Sequence, residues 1–148
     1  MDGNAFMSLS FYIDLSRKLL LVSGEGEVKA QDIEGYHAFI KAESDMQYCK
    51  AAFVDLSGSD VVLKNIPVRS IKIMARAFKH EPLLPLGAKV AIVVNNIFAH
   101  GLVRLFASLR EGNVRVLSFK TREDAFAWLE IEDVKIPTHA YIKISAGP

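Results

Sequence analysis

Two clusters of polar side chains in this chain are of the right types and spacing to do chemistry. The first is Asp55-Leu-Ser57-Gly-Ser59-Asp60, directly after a short apolar run. Carboxylates and hydroxyls at a strand's carboxyl end can bind a cation or a hydroxylated ligand, or present a polar surface to a partner. Equally, Ser and Asp side chains serve loop amides as turn formers. The second is Asn95-Asn96 with His100 and Arg104. Asn is a leading residue at helix starts, where free N–H groups can hold an anion. His100 and Arg104, one turn apart, share a helix face opposite Leu102 and Leu105. Asn95, Asn96, His100 and Arg104 together define a candidate anion or carboxylate pocket facing the Asp55 loop; the alternative is a capped helix with a solvated polar face.

A third pattern is electrostatic. Arg69, Lys72, Arg76 and Lys79 recur at helical spacing on one face, Lys64 precedes them, and no Asp or Glu occurs between Lys64 and His80. The acids Asp32, Glu34, Glu43 and Asp45 gather around an earlier segment instead. A formal net charge of +1 thus hides a lopsided surface. Such a stripe can steer an acidic protein surface or contact anionic lipid, or be an ordinary solvated face.

The remaining reactive types offer less. His37 falls on an apolar helix face and reads as a core-edge residue. His80 suits a helix C-terminus, and His139 lies in the tail. None has metal-ligand spacing, so no metal is expected. The single Cys49 rules out an intrachain disulfide and reads as a packed thiol. There is no phosphate loop, no three-glycine dinucleotide fingerprint around Gly24-Glu-Gly26, and no nucleophile elbow at Leu56-Ser57-Gly58. No cofactor and no catalytic residue are therefore expected, and an enzyme using His100 with Asp55 or Asp60 ranks last among the readings.

The elements that must position these residues read as α/β. Ala88-Lys-Val-Ala-Ile-Val-Val94 is a near-continuous β-branched run, the mark of a strand buried on both faces of a parallel sheet. The helix after it is expected from Ile97 to Glu111, with Phe98, Leu102, Leu105 and Leu109 as its apolar face. The turn between them lies at the carboxyl edge of the sheet, where α/β ligand sites tend to sit. Leu9 to Asp14 and Arg17 to Val22 read as a hairpin, Gln31 to Ser44 as a helix, and Ala51 to Leu56 as a strand. Ile66 to Lys79 reads as a helix with Ile66, Ser70, Ile73 and Ala77 on its apolar face. Val114 to Phe119 reads as a strand, and Thr121-Arg-Glu-Asp124 as a capped start to a helix ending near Leu129. The expected fold is a five-stranded, mostly parallel mixed sheet with an N-terminal hairpin and about four helices. Residues 1–8 are expected to be a flexible N-terminus, 9–130 the domain, and 131–148 a tail that adds an edge strand or docks on a partner.

With 148 residues, 51% of them hydrophobic, the chain can bury a real core as one domain. Near-neutral charge argues against a nucleic-acid binder. No apolar run is long enough for a transmembrane segment, and Met1 to Met7 lacks the layout of a signal peptide, so a cytoplasmic location is expected.

The element order, the strand end Phe53-Val-Asp55-Leu-Ser57-Gly58, the helix Gly101-Leu-Val-Arg104-Leu-Phe106 and the terminal Thr121-Arg-Glu-Asp-Ala-Phe-Ala-Trp-Leu129 resemble the STAS-like superfamily of sulfate-transporter domains and anti-sigma-factor antagonists, in an uncharacterised bacterial branch. The resemblance implies a non-enzymatic regulatory or protein-interaction domain. Regulatory members carry a phosphorylatable serine in an Asp-Ser-Ser-Gly motif before the second helix. Here that region reads Leu63-Lys-Asn-Ile-Pro-Val-Arg-Ser70, so the serine phosphoswitch is not expected. An acidic protein partner and a homodimer fit this first reading. The alternative is a small-molecule or lipid-binding domain, taking an apolar or anionic ligand in a pocket at the carboxyl edge of the sheet. That pocket would lie between the Asp55 loop and the Asn95–His100 turn, walled by Phe98, Phe106 or Phe78.

Overall fold

A computed structural model describes residues 9–58, 61–63, 66–80, 82, 84–110, 114–132 and 142–145. The chain opens with a hairpin, β1 (Leu9–Asp14) and β2 (Leu19–Gly24), paired antiparallel with Leu9 opposite Gly24 and Asp14 opposite Leu19. Its turn is held by Asp14. The Asp14 carboxylate accepts from Ser16 Oγ at 2.7 Å, from Arg17 N at 3.1 Å and from Arg17 Nη1 at 2.7 Å. These bonds fix a turn in which Lys18 takes a left-handed φ of 55°, a conformation that side chains with a Cβ adopt at a cost. Four residues go to the turn, so β2 begins at Leu19 rather than at Arg17.

Beyond the hairpin the strands run parallel. β4 (Ala51–Leu56), β6 (Lys89–Val94) and β7 (Arg115–Phe119) follow β2, with β3 (Glu27–Val28) and β5 (Val62–Leu63) forming a separate two-stranded parallel ribbon. β8 (Ile142–Ser145) adds antiparallel to β1, and the main sheet order is β7-β6-β4-β2-β1-β8. The five expected strands and their mixed pairing are therefore present, with a sixth strand at the hairpin edge. The ribbon was not legible beforehand because two residues per strand carry no alternation. Gly26 permits it: at φ 63° it turns the chain so that its carbonyl accepts from Val62 N at 2.9 Å.

Four α-helices cover the sheet: α1 (Ala30–Lys41), α2 (Val68–His80), α3 (Ile97–Arg110) and α4 (Arg122–Leu129). α1 starts where Asp32 Oδ2 accepts from Lys29 N at 2.9 Å, α3 where Asn96 Oδ1 accepts from Ala99 N at 2.8 Å, and α4 where Thr121 Oγ1 accepts from Asp124 N at 3.1 Å. The last two are side-chain capping of an otherwise unpaired helix amide, while Asp32 reaches back to the amide that precedes α1. α1 ends at Lys41, short of the expected Ser44, and Ser44–Tyr48 forms a 3-10 helix that buries Met46. α2 begins at Val68, because the one carbonyl of Pro67 accepts from both Ser70 N and Ile71 N and Pro67 stands just outside.

Two layers of core result. One face of the sheet packs Leu20, Val22, Ala52 and Val54 against α1 and α3, and α2 lies across those two helices through Ile71 and Met74. The other face packs Leu21, Phe53, Ala91 and Val93 against α4, with Phe53 and Phe126 stacked at 4.2 Å. The faces of two helices differ from expectation. On α2 the buried residues are Ile71, Met74 and Ala75, with Phe78 half-buried, while Ile73 and Ala77 are exposed and Ser70 half-buried. On α3 the sheet receives Ala99, Val103 and Arg110. Leu102 and Leu105 turn to α2, and Phe98 is 58% exposed. Both helices are apolar around more than one stripe, so periodicity alone admits two faces.

Asp14 also predicts an acid response. Burial raises its pKa, but the hydrogen bonds from Ser16 and Arg17 and the Arg17 charge outweigh that and leave it below 3.8. A carboxylate held low in the folded state adds stability that is present above its unfolded value and is lost as pH falls through the folded one. Urea midpoints of Asp14→Asn, measured from pH 6 downward, should therefore fall less below about pH 4 than those of the native chain.

Candidate functional site

At the carboxyl edge of the sheet the structure brings the Asp55 loop and the Asn95 turn together. Asn95 Nδ2 donates to Gly58 O at 3.0 Å and lies 3.5 Å from Val61 O. Asn96, besides capping α3, donates from Nδ2 to Asn95 Oδ1 at 2.7 Å. Asp55, at the end of β4, accepts from Ser57 N at 3.0 Å and from Ser57 Oγ. Its other oxygen receives Arg122 Nη1 at 3.2 Å. Arg122 in turn lies over the rings of Phe53 and Phe126, at 5.0 and 5.5 Å.

His100 points elsewhere. Its Nδ1 lies 2.8 Å from Ser118 Oγ on β7, and its Nε2 is buried without a hydrogen-bond partner. Arg104, one turn along, is exposed. The polar residues of this edge are thus engaged chiefly with the protein's own groups. Ser59, Asp60 and Lys64 lie outside the described residues, as does His139. Arg122 was missed in the sequence: its only local signal is membership of a helix's first turn, and nothing there points sixty-seven residues back to Asp55.

The basic face is where the spacing put it. Arg69, Lys72, Arg76 and Lys79 are all exposed on the outer side of α2, with Ile73, 50% exposed, among them. His37 is buried, its ring edge-on to Phe78 at 4.4 Å. Cys49 is buried, and its thiol is pushed up to about 11, first by burial and then by the Asp45 charge. Among the described residues no group of His, Cys, Asp and Glu could hold a metal ion, and no helix is long and apolar enough to cross a membrane.

A different feature carries more weight. Between α2 and the sheet lies a cavity of about 150 Å³. Val54, Val90 and Ile92 of the sheet form its floor, Ile71, Met74 and Phe78 of α2 its roof, and Tyr36 and Phe106 parts of its walls. Val90 and Ile92 face inward from an inner parallel strand, yet both are incompletely buried. Side chains in that position are normally shut away from water. The cavity lies over the face of the sheet and reaches Leu56 at the end of β4. Phe106 and Phe78 line it; Phe98, Asp55, Asn95 and His100 do not. Among the described residues one charged side chain reaches it, Arg110, at the end of α3.

The fold so described is an α/β domain with an N-terminal hairpin, a mostly parallel mixed sheet and, among the described residues, four α-helices. No family model matches the chain, and no curated protein does. Among solved structures it is similar to an uncharacterized protein of the DUF3478 family, with a SpoIIAA-like fold, from Shewanella loihica PV-4. The two share 17% identity over 75% of this chain and 83% of that one, with a TM-score of 0.47.

The Asp55–Arg122 pair is partly open to solvent, with side-chain exposures of 23% and 31%, so its coupling should be small. A double-mutant cycle of Asp55→Asn and Arg122→Ala, read by urea denaturation, should return about 0.2–1 kcal/mol. Arg122→Ala alone should cost more than Asp55→Asn, because it also removes the packing on Phe53 and Phe126.

Proposed function

We propose that this domain is a non-catalytic binding module whose cavity between the sheet and α1–α3 takes a small apolar ligand. The observation that supports it is the incomplete burial of Val90 and Ile92 on an inner strand of a parallel sheet, facing an apolar space of about 150 Å³. Protein interiors are packed to crystal-like density, and space of this volume lined by hydrocarbon accepts a benzene-sized guest. Benzene is therefore the first probe. Titrated against the native chain, it should shift the methyl resonances of Val90, Ile92 and Met74 saturably. Val90→Phe, which fills the floor, should weaken that binding by about tenfold or more while the chain stays folded. If the native chain's methyls do not respond to benzene, the reading is wrong.

A second reading is supported by the outer face of α2. Arg69, Lys72, Arg76 and Lys79 are exposed, and none has a carboxylate within ion-pair distance among the described residues. Unneutralised charge in such a row attracts an acidic protein surface and sets its association rate. Replacing Arg69, Lys72 and Arg76 by Glu should abolish retention on immobilised polyglutamate at about 0.15 M salt, where screening leaves only close contacts effective. Unchanged retention would remove this reading without touching the first.

A further inference from the structure

We infer that the guest of this cavity is a compact carboxylate, an aryl or short acyl acid, whose head group is seated on Arg110. This rests on the cavity reading above and adds the chemical class of the ligand. Arg110 is 5% exposed and lines the cavity. It keeps one hydrogen bond among the described residues, from Nη1 to Val114 O at 3.0 Å, and no carboxylate pairs with it there. A guanidinium carries five N–H donors in a rigid fork. Among the described residues the one fully buried side-chain polar atom without a partner is His100 Nε2, so no nitrogen of Arg110 is both shut off and unpaired there. Arg110 itself borders the cavity.

Burial lowers the pKa of Arg110 from its ordinary value, the sign of a charge held where it is poorly solvated. Such a charge is costly unless paired and hydrogen-bonded. Among the described residues every other lining side chain is a hydrocarbon or methionine except Tyr36, so none of them supplies a counter-charge. One cation in an apolar chamber is balanced by one monoanion. A carboxylate matches the guanidinium fork with two parallel hydrogen bonds, while a phosphate dianion would bring more charge and more acceptors than one arginine can satisfy. Volume sets the size of the body. About 150 Å³ is the scale of a benzene ring and falls well below the ~300–1,000 Å³ of sites for larger ligands.

The test compares benzoate, its uncharged isostere benzamide, and benzene by NMR titration and calorimetry on the whole chain at pH 7. Benzoate should bind about tenfold or more tightly than benzamide, as expected for a charged hydrogen-bonded pair shielded from water. In Arg110→Met, which keeps the apolar stem, that ratio should fall to about one while benzene binding is retained. Benzene binding with no preference for benzoate would overturn the carboxylate inference and leave the cavity reading standing. Failure of benzene and benzoate alike would overturn both. Equal loss of benzene and benzoate in Arg110→Met would assign Arg110 to packing alone. The benzoate-to-benzamide ratio on the native chain decides the matter even where the variant does not fold.

Discussion

The whole molecule depends on the parallel ladder through β2, β4 and β6. Its strands are apolar on both faces, as in Leu19 to Val22, Ala51 to Val54 and Val90 to Val94, and a sheet of that kind is stable only when both faces are covered. The two coverings are unequal. α4 has eight residues and does its work through a few large contacts: Phe126 on Phe53, and Trp128 beneath Lys89 and Arg115 at 5.2 and 5.5 Å. On the opposite face α1 and α3 reach the sheet directly, but α2 crosses above them. A helix supported by its neighbours rather than by the strands leaves space beneath it. The cavity follows from this layering, and so does the incomplete burial of Val90 and Ile92.

Three of the charged groups that meet the core are handled in three different ways. Asp14 is satisfied by its own turn, within three residues of sequence, and that local closure fixes the hairpin register on which β2 and then β4 align. Asp55 is satisfied at long range by Arg122, whose guanidinium also caps the aromatic pair below α4. Among the described residues Arg110 has only a backbone carbonyl. The first two arrangements neutralise a charge with a charge. The third leaves a cation bordering an apolar chamber, which sets it apart chemically from the polar edge at Asp55 and Asn95.

What could be read in the sequence, and what could not, follows the range of each interaction. β4, β6 and α4 are specified by neighbouring residues: a β-branched run, or a Thr with an acidic residue three positions on, has one reading whatever surrounds it. The N-cap at Asn96 and the approach of the Asn95 turn to the Gly58 loop belong to the same class. The basic face of α2 was equally legible, since exposure of charges spaced by three and four follows from helix geometry. The cavity was not. It is bounded by residues from strands and three helices, and no window of sequence contains both its floor and its roof. Arg110 shows the limit most clearly. At a helix C-terminus an arginine reads as a solvated partner for the dipole. Only its phase, in line with Ala99, Val103 and Phe106, hints that it turns inward, and Leu102, Leu105 and Leu109 supply a rival apolar face that hides the hint.

Magnitudes bear on why such a chamber persists. Left empty, apolar space of about 150 Å³ forfeits on the order of 3–4 kcal/mol of packing at ~24 cal/mol per Å³. Domains of this size hold a net stability of roughly 5–15 kcal/mol, so the loss is a large fraction of the whole. A poorly compensated guanidinium at the chamber wall adds to it. Either defect could be removed by a single change, a larger side chain at Val90 or an apolar one at Arg110. Both defects sit at one place, and a single compact anion would relieve both, its body restoring contacts to Val90, Ile92 and Phe106 and its charge answering Arg110. A ligand that binds only the folded chain stabilises it by mass action, so the space that weakens the empty domain is also the space through which occupancy would be registered as stability.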